Sequence, residues 1–495
     1  MVGIKLLRVL AASMCLGEVV LGQEYLIRFK KNDSLQKFFR SRLFDKNRVS
    51  DVLGDENIGR VFEFGNFKCL SAKNLSVDII ERLRSNPFVA DIVPDLAFEL
   101  YNETKMEQQG KDKKNDVEGE EPEKVAIQYG APRHLGRLSS RNQLPFNIRN
   151  ENEFKKLINY YYEDQYRGEN VMAYIIDTGI FKEHPEFNGR AIVGIDTTGE
   201  GPGDMNGHGT HVAGLVGSRT FGVAKNVTLV EVKVLSGKGT GNLTTVLSGI
   251  EFAVQHCKQV SMKTGKKCVA NMSLGTVRNN IINAAIQEAH NSGVVMVVAA
   301  GNSNVSACWT SPASSKSAIT VGAFDDRTET IAYFSNWGAC VDIFASGVKI
   351  KSLSNKKELL TKHIANTGTS MASPVVAGMV AVLLDKGVDS SNIKEKLIEL
   401  STKEIFNRIT LFFKYGTPNR VAYNGIENLI DDDEEDEMDA ENTEKHSTFF
   451  DRFKFDNPIY PKIKVEELAK KLRSYKSTGL IIKEKEDFLD DSWVG

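Results

Sequence analysis

The sequence predicts an α/β protein: a parallel sheet covered by helices on both faces, with a small α+β unit ahead of it. Three observations carry that expectation. From about residue 126 to 425, five runs rich in β-branched residues, VMAYIID, VTLVEVKVL, CVANMSL, VVMVVAA and AITVGAF, alternate with helical segments, the pattern of buried parallel strands joined by crossover helices. Residues 23 to about 100 hold instead the short strand-like runs EYLIRF and RVFEFGNFKCLSA, an amphipathic helix, SVDIIERLRSN, and a last strand, VADIVPD. Between the two regions, residues 101–125 (YNETKMEQQGKDKKNDVEGEEPEKV) contain almost no apolar side chains and read as a solvated linker open to proteolysis.

The two ends differ from both regions. Residues 1–22, MVGIKLLRVLAASMCLGEVVLG, combine basic Lys5 and Arg8 with an apolar stretch and a small residue, Gly22, ahead of Gln23, which reads as a cleaved secretory signal peptide. A buried first helix is the alternative, and Lys5, Arg8 and Glu18 count against it. Residues 426–495 carry DDDEEDE near their start, a helix-like stretch around VEELAKKLRSYK and little core material, so they are expected to form an acidic, largely disordered tail. At 495 residues and 41% hydrophobic composition the chain has room for two or three domains. A formal charge of −2 without a dominant Lys/Arg run excludes a nucleic-acid partner. No later stretch offers the roughly 20 apolar residues of a membrane span. The expectation is a soluble, monomeric product of the secretory pathway.

Cysteine usage agrees with that route. Cys15 lies in the signal segment and Cys69 in the small unit, leaving Cys257, Cys268, Cys308 and Cys340 as an even set for an oxidising compartment. Four cysteines allow three pairings. Closeness in sequence favours Cys257 with Cys268 and Cys308 with Cys340, against free buried thiols. Asn32, Asn74, Asn102, Asn226, Asn242 and Asn304 each open an N-x-S/T triplet, compatible with a glycoprotein.

The chemistry concentrates in the large region. NGHGTHVAG, Asn206–Gly214, sets two histidines three residues apart among glycines, which on a helix gives them one face. Either His208 and His211 share a metal, which needs a third ligand, or one is an acid/base imidazole serving a nucleophile and oriented by a carboxylate. Asp177 ends the run AYIID before a Thr-Gly turn, where open α/β sheets collect functional groups; it also suits a simple turn cap. Ser370 in NTGTSMASPVVAGMVAVLL stands at the mouth of a strongly apolar helix, as an N-cap or as a nucleophile at the positive end of the helix dipole.

Asp177 in DTG, His208 in GHGTHVAG, Asn302 in AAGN and Ser370 in GTSMASP together resemble the four signature segments of the subtilisin-like serine proteases, in the order Asp, His, Ser. From about residue 130 to 425 the chain is similar to the fungal proteinase K-like branch, which includes yeast vacuolar and spore-associated members. The unit at 23–100 resembles the family's inhibitory propeptide. The resemblance implies a subtilisin-like sheet in 126–425 and a ferredoxin-like propeptide fold in 23–100. It implies a serine endopeptidase made as a self-processing zymogen, with polypeptide substrates and its own propeptide as intramolecular inhibitor. It assigns His208 as general base, His211 as structural, Ser370 as nucleophile, Asp177 as the carboxylate that holds the imidazole, and Asn302 as an oxyanion donor.

Lys238, Gly239, Thr240 and Gly241, with Ser273, Leu274, Gly275 and Thr276, match the two strands between which an extended substrate adds. The family has Gly-Gly where this chain has Gly275-Thr276, and a histidine where it has Val375. Asp342 matches a carboxylate ligand of a structural Ca²⁺, with carbonyls near Lys316 and Ala318 as partners; a plain hydrogen-bond acceptor is the alternative. No cofactor is implied for the chemistry. Expected compartments are the outside of the cell, the cell or spore wall, or the vacuole. A catalytically silent scaffold or binding protein and a His208/His211 metal hydrolase are the competing readings, the second without an evident third ligand.

Overall fold

The computed structural model describes residues 23–30, 35–43, 47–101, 125–145 and 157–426. The expected signal segment, the linker except for Tyr101 and Val125, and the tail beyond Ile426 lie outside the described residues, as do Asn32 and Asn102.

EYLIRF forms strand β1 (Glu24–Phe29). RVFEFGNFKCLSA folds back on itself into β2 (Ile58–Phe64) and β3 (Phe67–Lys73). Phe64 pairs with Phe67 across a turn at Gly65, whose φ of 53° is open to glycine at little cost. Helix α1 (Val77–Arg84) starts at Ser76, whose hydroxyl accepts from the Ile79 N–H at 3.3 Å. Strand β4 (Val89–Pro94) completes an antiparallel sheet of order β2-β3-β1-β4. That order, with helical segments after β1 and after β3, is the ferredoxin-like arrangement. Adjacent side chains of β1 serve different cores: Ile27 and Phe29 pack with Ile80 and Leu83, whereas Leu26 joins Phe62, Phe64 and Cys69 in a cluster shared with the larger region. A fifth strand, β5 (Ala97–Leu100), leaves this sheet altogether.

VMAYIID becomes β6 (Val171–Asp177), buried at every residue. Strand β7 (Ala191–Asp196) and helix α2 (His208–Gly217) follow. Then come β8 (Thr228–Lys233), the short β9 (Thr240–Asn242), the long helix α3 (Leu243–Thr264) and β10 (Lys267–Met272). Next are β11 (Leu274–Val277), α4 (Asn280–Asn291), β12 (Val294–Ala299) and β13 (Thr310–Ser311). The series closes with β14 (Ala318–Asp325), β15 (Ile343–Ser346), α5 (Thr369–Asp385) and α6 (Ile393–Leu400).

In the principal sheet β15, β14, β12, β10, β6, β8 and β7 lie side by side in parallel. The period of two splits β6 between two cores. Val171, Ala173 and Ile175 pack with Val212, Val216, Val375 and Val376 from α2 and α5. Met172, Tyr174 and Ile176 pack with Val246, Ile250, Ile282 and Ile286 from α3 and α4. Helices therefore cover both faces, as predicted. Cys257 is bonded to Cys268 and Cys308 to Cys340.

The α2/α5 contact is tight because its residues are small. A Cβ built on Gly378 would fall 2.6 Å from Val223 Cβ and 3.1 Å from the Val216 carbonyl oxygen, the latter in the backbone of α2. Gly378→Ala is expected to destabilise the protein by about 1–3 kcal/mol through overpacking, despite alanine's better helix propensity. Thermal unfolding checks this; an unchanged or raised midpoint would show that the two helices can separate without cost.

Candidate active site

Asp177 ends β6, and its register partner on β8 is Lys233. A Thr-Gly turn follows, with Gly179 at φ 115°. α2 begins at His208, immediately after Gly207 at φ 98°. The two chain segments touch: a Cβ on Gly209 would sit 2.1 Å from the Gly179 carbonyl oxygen and 3.2 Å from Asp177 Oδ1. Only a glycine fits at that approach. As a result His208 Nδ1 lies 2.6 Å from Asp177 Oδ1, with both side chains buried. A carboxylate accepts, so Nδ1 carries the proton and Nε2 keeps its lone pair. Burial pushes the Asp177 carboxyl above its usual range, opposed by His208 and by the Thr178 N–H, which donates to Oδ1 at 2.8 Å.

Asp204, which the sequence reading did not single out, organises this helix start. Its Oδ1 accepts from the N–H groups of Asn206 and Gly207 and from Thr178 Oγ1, and its Oδ2 accepts from Thr210 N and Oγ1. The acceptor-rich residue just upstream of GHGTH was the available signal, since a helix N-terminus has four orphan donors.

Ser370 is the second residue of α5 and is buried. Pro374 lies one turn on and has no N–H to give to the Ser370 carbonyl. Ser273 makes up the loss: its hydroxyl donates to the Ser370 carbonyl at 3.0 Å, while Ser370 Oγ donates to the Ser273 carbonyl at 3.3 Å. Asn302, in the loop after β12, accepts at Oδ1 from Thr369 N at 2.9 Å and from Thr369 Oγ1 at 2.7 Å. Its carbonyl end is thus fixed to the first turn of α5, which turns Nδ2 the other way. Ser273 and Thr369 were not assigned these roles by the sequence, because each acts through a partner remote in the chain.

The segments expected to receive substrate border an occupied cleft. β5 runs antiparallel between β9 and β11 in the order β9-β5-β11-β13. Thr240, Gly241 and Asn242 face Glu99, Phe98 and Ala97; Leu274 and Gly275 face Leu100 and Glu99. The Leu100 N–H donates to the Gly239 carbonyl at 3.1 Å. Lys238 lies in the turn before β9 with its side chain exposed, Ser273 lies beneath Ser370, and Thr276 pairs with Ser311 beyond the reach of β5. Tyr101, the residue after β5, puts its ring against two glycines. A Cβ on Gly275 would fall 1.8 Å from the Tyr101 hydroxyl, and one on Gly301 would lie 3.3 Å from its Cε1.

A family model described as the subtilase family matches residues 168–417. The chain belongs to the subtilase family. It is therefore a serine endopeptidase. It is 45% identical over 463 residues to the subtilase-type proteinase RRT12 of Saccharomyces cerevisiae, covering 92% of this chain and 88% of that protein. To cerevisin of the same yeast it is 42% identical over 320 residues, 60% of this chain and 47% of that one. A crystal structure of a cold adapted subtilisin-like serine proteinase superposes with a TM-score of 0.51 at 37% identity, covering 60% of this chain and all of that one.

His208 and His211 turn to different partners in this subtilase. His211 Nε2 donates to the Ile350 carbonyl at 3.1 Å within the core, and among the described residues no group of three or more His, Cys, Asp or Glu gathers as a metal site. Val375 packs in the α2/α5 core. Asp342 accepts from the Thr320 N–H at 2.8 Å through Oδ2, and its Oδ1 lies 3.0 Å from Lys394 Nζ. The Lys316 carbonyl, implied as a second calcium donor, accepts from the same Nζ at 3.1 Å. Calcium needs six to eight oxygens around the ion; here two of the implied donors already share an ammonium, and the donor set does not fit the metal.

Burial holds His211 down to about 3 and His134, whose Nε2 donates to the Phe221 carbonyl, down to about 4. Both fold as neutral imidazoles, whereas in the unfolded chain they bind protons below about pH 6.5. The unfolded state thus takes up more protons, and stability falls as pH drops from about 6.5 toward 4, by about 1.4 kcal/mol per pH unit for each histidine. His134→Gln is expected to flatten the slope by one proton's worth. Denaturant unfolding at pH 7, 6 and 5 measures it; parallel slopes for parent and variant would refute the assignment.

Proposed function

We propose that this subtilase is made as a secretory zymogen whose residues 23–101 template and plug the catalytic region, and whose Ser370 first cuts after Tyr101 and then cleaves polypeptides in trans. The observation that carries the reading is β5, a strand of the chain's own leader occupying the middle of the β9-β5-β11 sheet with Tyr101 seated between Gly275 and Gly301. An extended polypeptide adds there by the same main-chain pairing, which tolerates many sequences. The seating of Tyr101 favours an aromatic residue before the cut. Other contacts brace the leader. Asp95 accepts from the Thr244 N–H at the start of α3, and Glu251 on α3 accepts from Arg60 Nη2 and from the Glu63 N–H, each at 2.8 Å.

In the reaction Ser370 Oγ attacks the carbonyl carbon as His208 Nε2 takes its proton; Nδ1–H remains on Asp177, which stabilises the imidazolium. The carbonyl oxygen becomes an oxyanion that accepts from Asn302 Nδ2 and the Ser370 N–H, at the positive end of α5. Collapse expels the amine, which leaves with the proton from His208. Water, deprotonated by the same imidazole, then releases the acid and restores Ser370. The signal-like residues 1–22, two disulfides and yeast relatives support the secretory or vacuolar route.

The full chain and its Ser370→Ala variant, passed through a yeast secretory pathway, test the zymogen reading by intact mass and N-terminal sequencing. The parent is expected to begin at Asn102 and the variant to keep the leader from Gln23. Identical maturation of both would remove self-processing. A kinetic contrast separates the two parts of the site. Asn302→Ala should lower kcat by about 10²–10³-fold with little change in KM. Gly275→Ala, which fills the space of the Tyr101 ring, should raise KM for substrates with an aromatic residue before the cut while leaving small-residue substrates less affected. Equal effects of both variants on kcat and KM would contradict these roles.

A further inference from the structure

Lys394 stands in the first turn of α6, where the helix dipole disfavours a cation. Its stem nevertheless carries the ammonium inward to a place formed by parts distant in sequence: Asp342 Oδ1 at 3.0 Å and the Lys316 carbonyl at 3.1 Å. The carboxylate is itself fixed. Asp342 Oδ2 accepts from the Thr320 N–H, and the Asp342 N–H donates to the Thr320 carbonyl, each at 2.8 Å. Both partners of the ion pair are mostly covered, with side-chain exposures of 26% for Lys394 and 21% for Asp342. The pair therefore ties α6 to the loop before β14 and to the start of β15 through a single charge.

We propose that Lys394 Nζ is a resident cation that takes the place of a structural metal ion, making this part of the fold independent of calcium. One positive charge balances one carboxylate, and the remaining N–H groups have a carbonyl within reach. A Ca²⁺ bonded to Asp342 Oδ1 at about 2.3–2.6 Å would lie no more than about 5.6 Å from the ammonium, which is 3.0 Å from the same oxygen, so the two cations exclude each other. Two oxygen donors, Asp342 Oδ1 and the Lys316 carbonyl, are present and both are held by the lysine. Removing the ammonium without filling its space should therefore turn an indifferent site into a calcium-responsive one.

The test uses the full chain carrying Ser370→Ala, which prevents self-digestion, and reads thermal unfolding in excess EGTA and in millimolar calcium, with terbium luminescence as a direct binding signal. With Lys394 present, the midpoint is expected to be the same in EGTA and calcium. Lys394→Ser should melt roughly 2–8 °C lower in EGTA, recover part of that loss in calcium and bind terbium; adding Asp342→Asn should abolish both responses. The proposal is overturned if the chain with Lys394 intact gains stability from calcium and loses that gain on Asp342→Asn. It is also overturned if folded Lys394→Ser ignores calcium and terbium. Should the serine variant not fold in EGTA, folding rescued by calcium supports the proposal, and failure in both conditions counts against it.

Discussion

The contact between the start of α2 and the turn after β6 sets the geometry on which the rest depends. A parallel strand buried on both faces delivers Asp177 to its C-terminal end at a fixed height, and a helix must approach within backbone distance to bring His208 to the carboxylate. Gly209 admits the Gly179 carbonyl, Gly207 and Gly179 adopt the left-handed region, and Asp204 satisfies the amides that such a sharp entry leaves exposed. The 2.6 Å contact between His208 and Asp177 follows from those glycines and that cap.

The second helix start solves a related problem with different means. A proline near the mouth of α5 stiffens the helix but deprives the Ser370 carbonyl of its donor. Ser273, at the end of the β10 segment, supplies that donor and in return receives Ser370 Oγ. Thr369 likewise connects α5 to Asn302. Ser273, after β10, and Asn302, after β12, are therefore both tied by hydrogen bonds to the first turn of α5.

Much of this was legible in the chain. Four of the five strand runs are rich in β-branched residues, and VMAYIID, VVMVVAA and AITVGAF coincide with strands to within a residue or two because strands buried on both faces read as near-continuous apolar runs. The motifs around Asp177, His208, Asn302 and Ser370 stood out because glycines and small residues surround polar groups there without a packing reason. RVFEFGNFKCLSA, by contrast, reads as one strand-like run, since Gly65 and Asn66 interrupt it too briefly to register as a loop. Asp204, Ser273 and Thr369 are ordinary polar residues by composition, and their roles exist only through partners that lie across the fold. Tyr101 looked like the first residue of a linker; its neighbours Gly275 and Gly301 are nearly two hundred residues away.

By itself the sequence determined the layered α/β class, the order of the reactive residues, the cysteine pairs favoured by short spacing and the family resemblance, because these rest on local periodicity, spacing and residue type. The tertiary structure alone decided that β5 adds between β9 and β11, that His211 faces the core, and that Lys394 reaches the carboxylate of Asp342. Each of those outcomes depends on distances between chain segments separated by dozens to hundreds of residues, which local pattern cannot encode but packing and hydrogen-bond satisfaction impose.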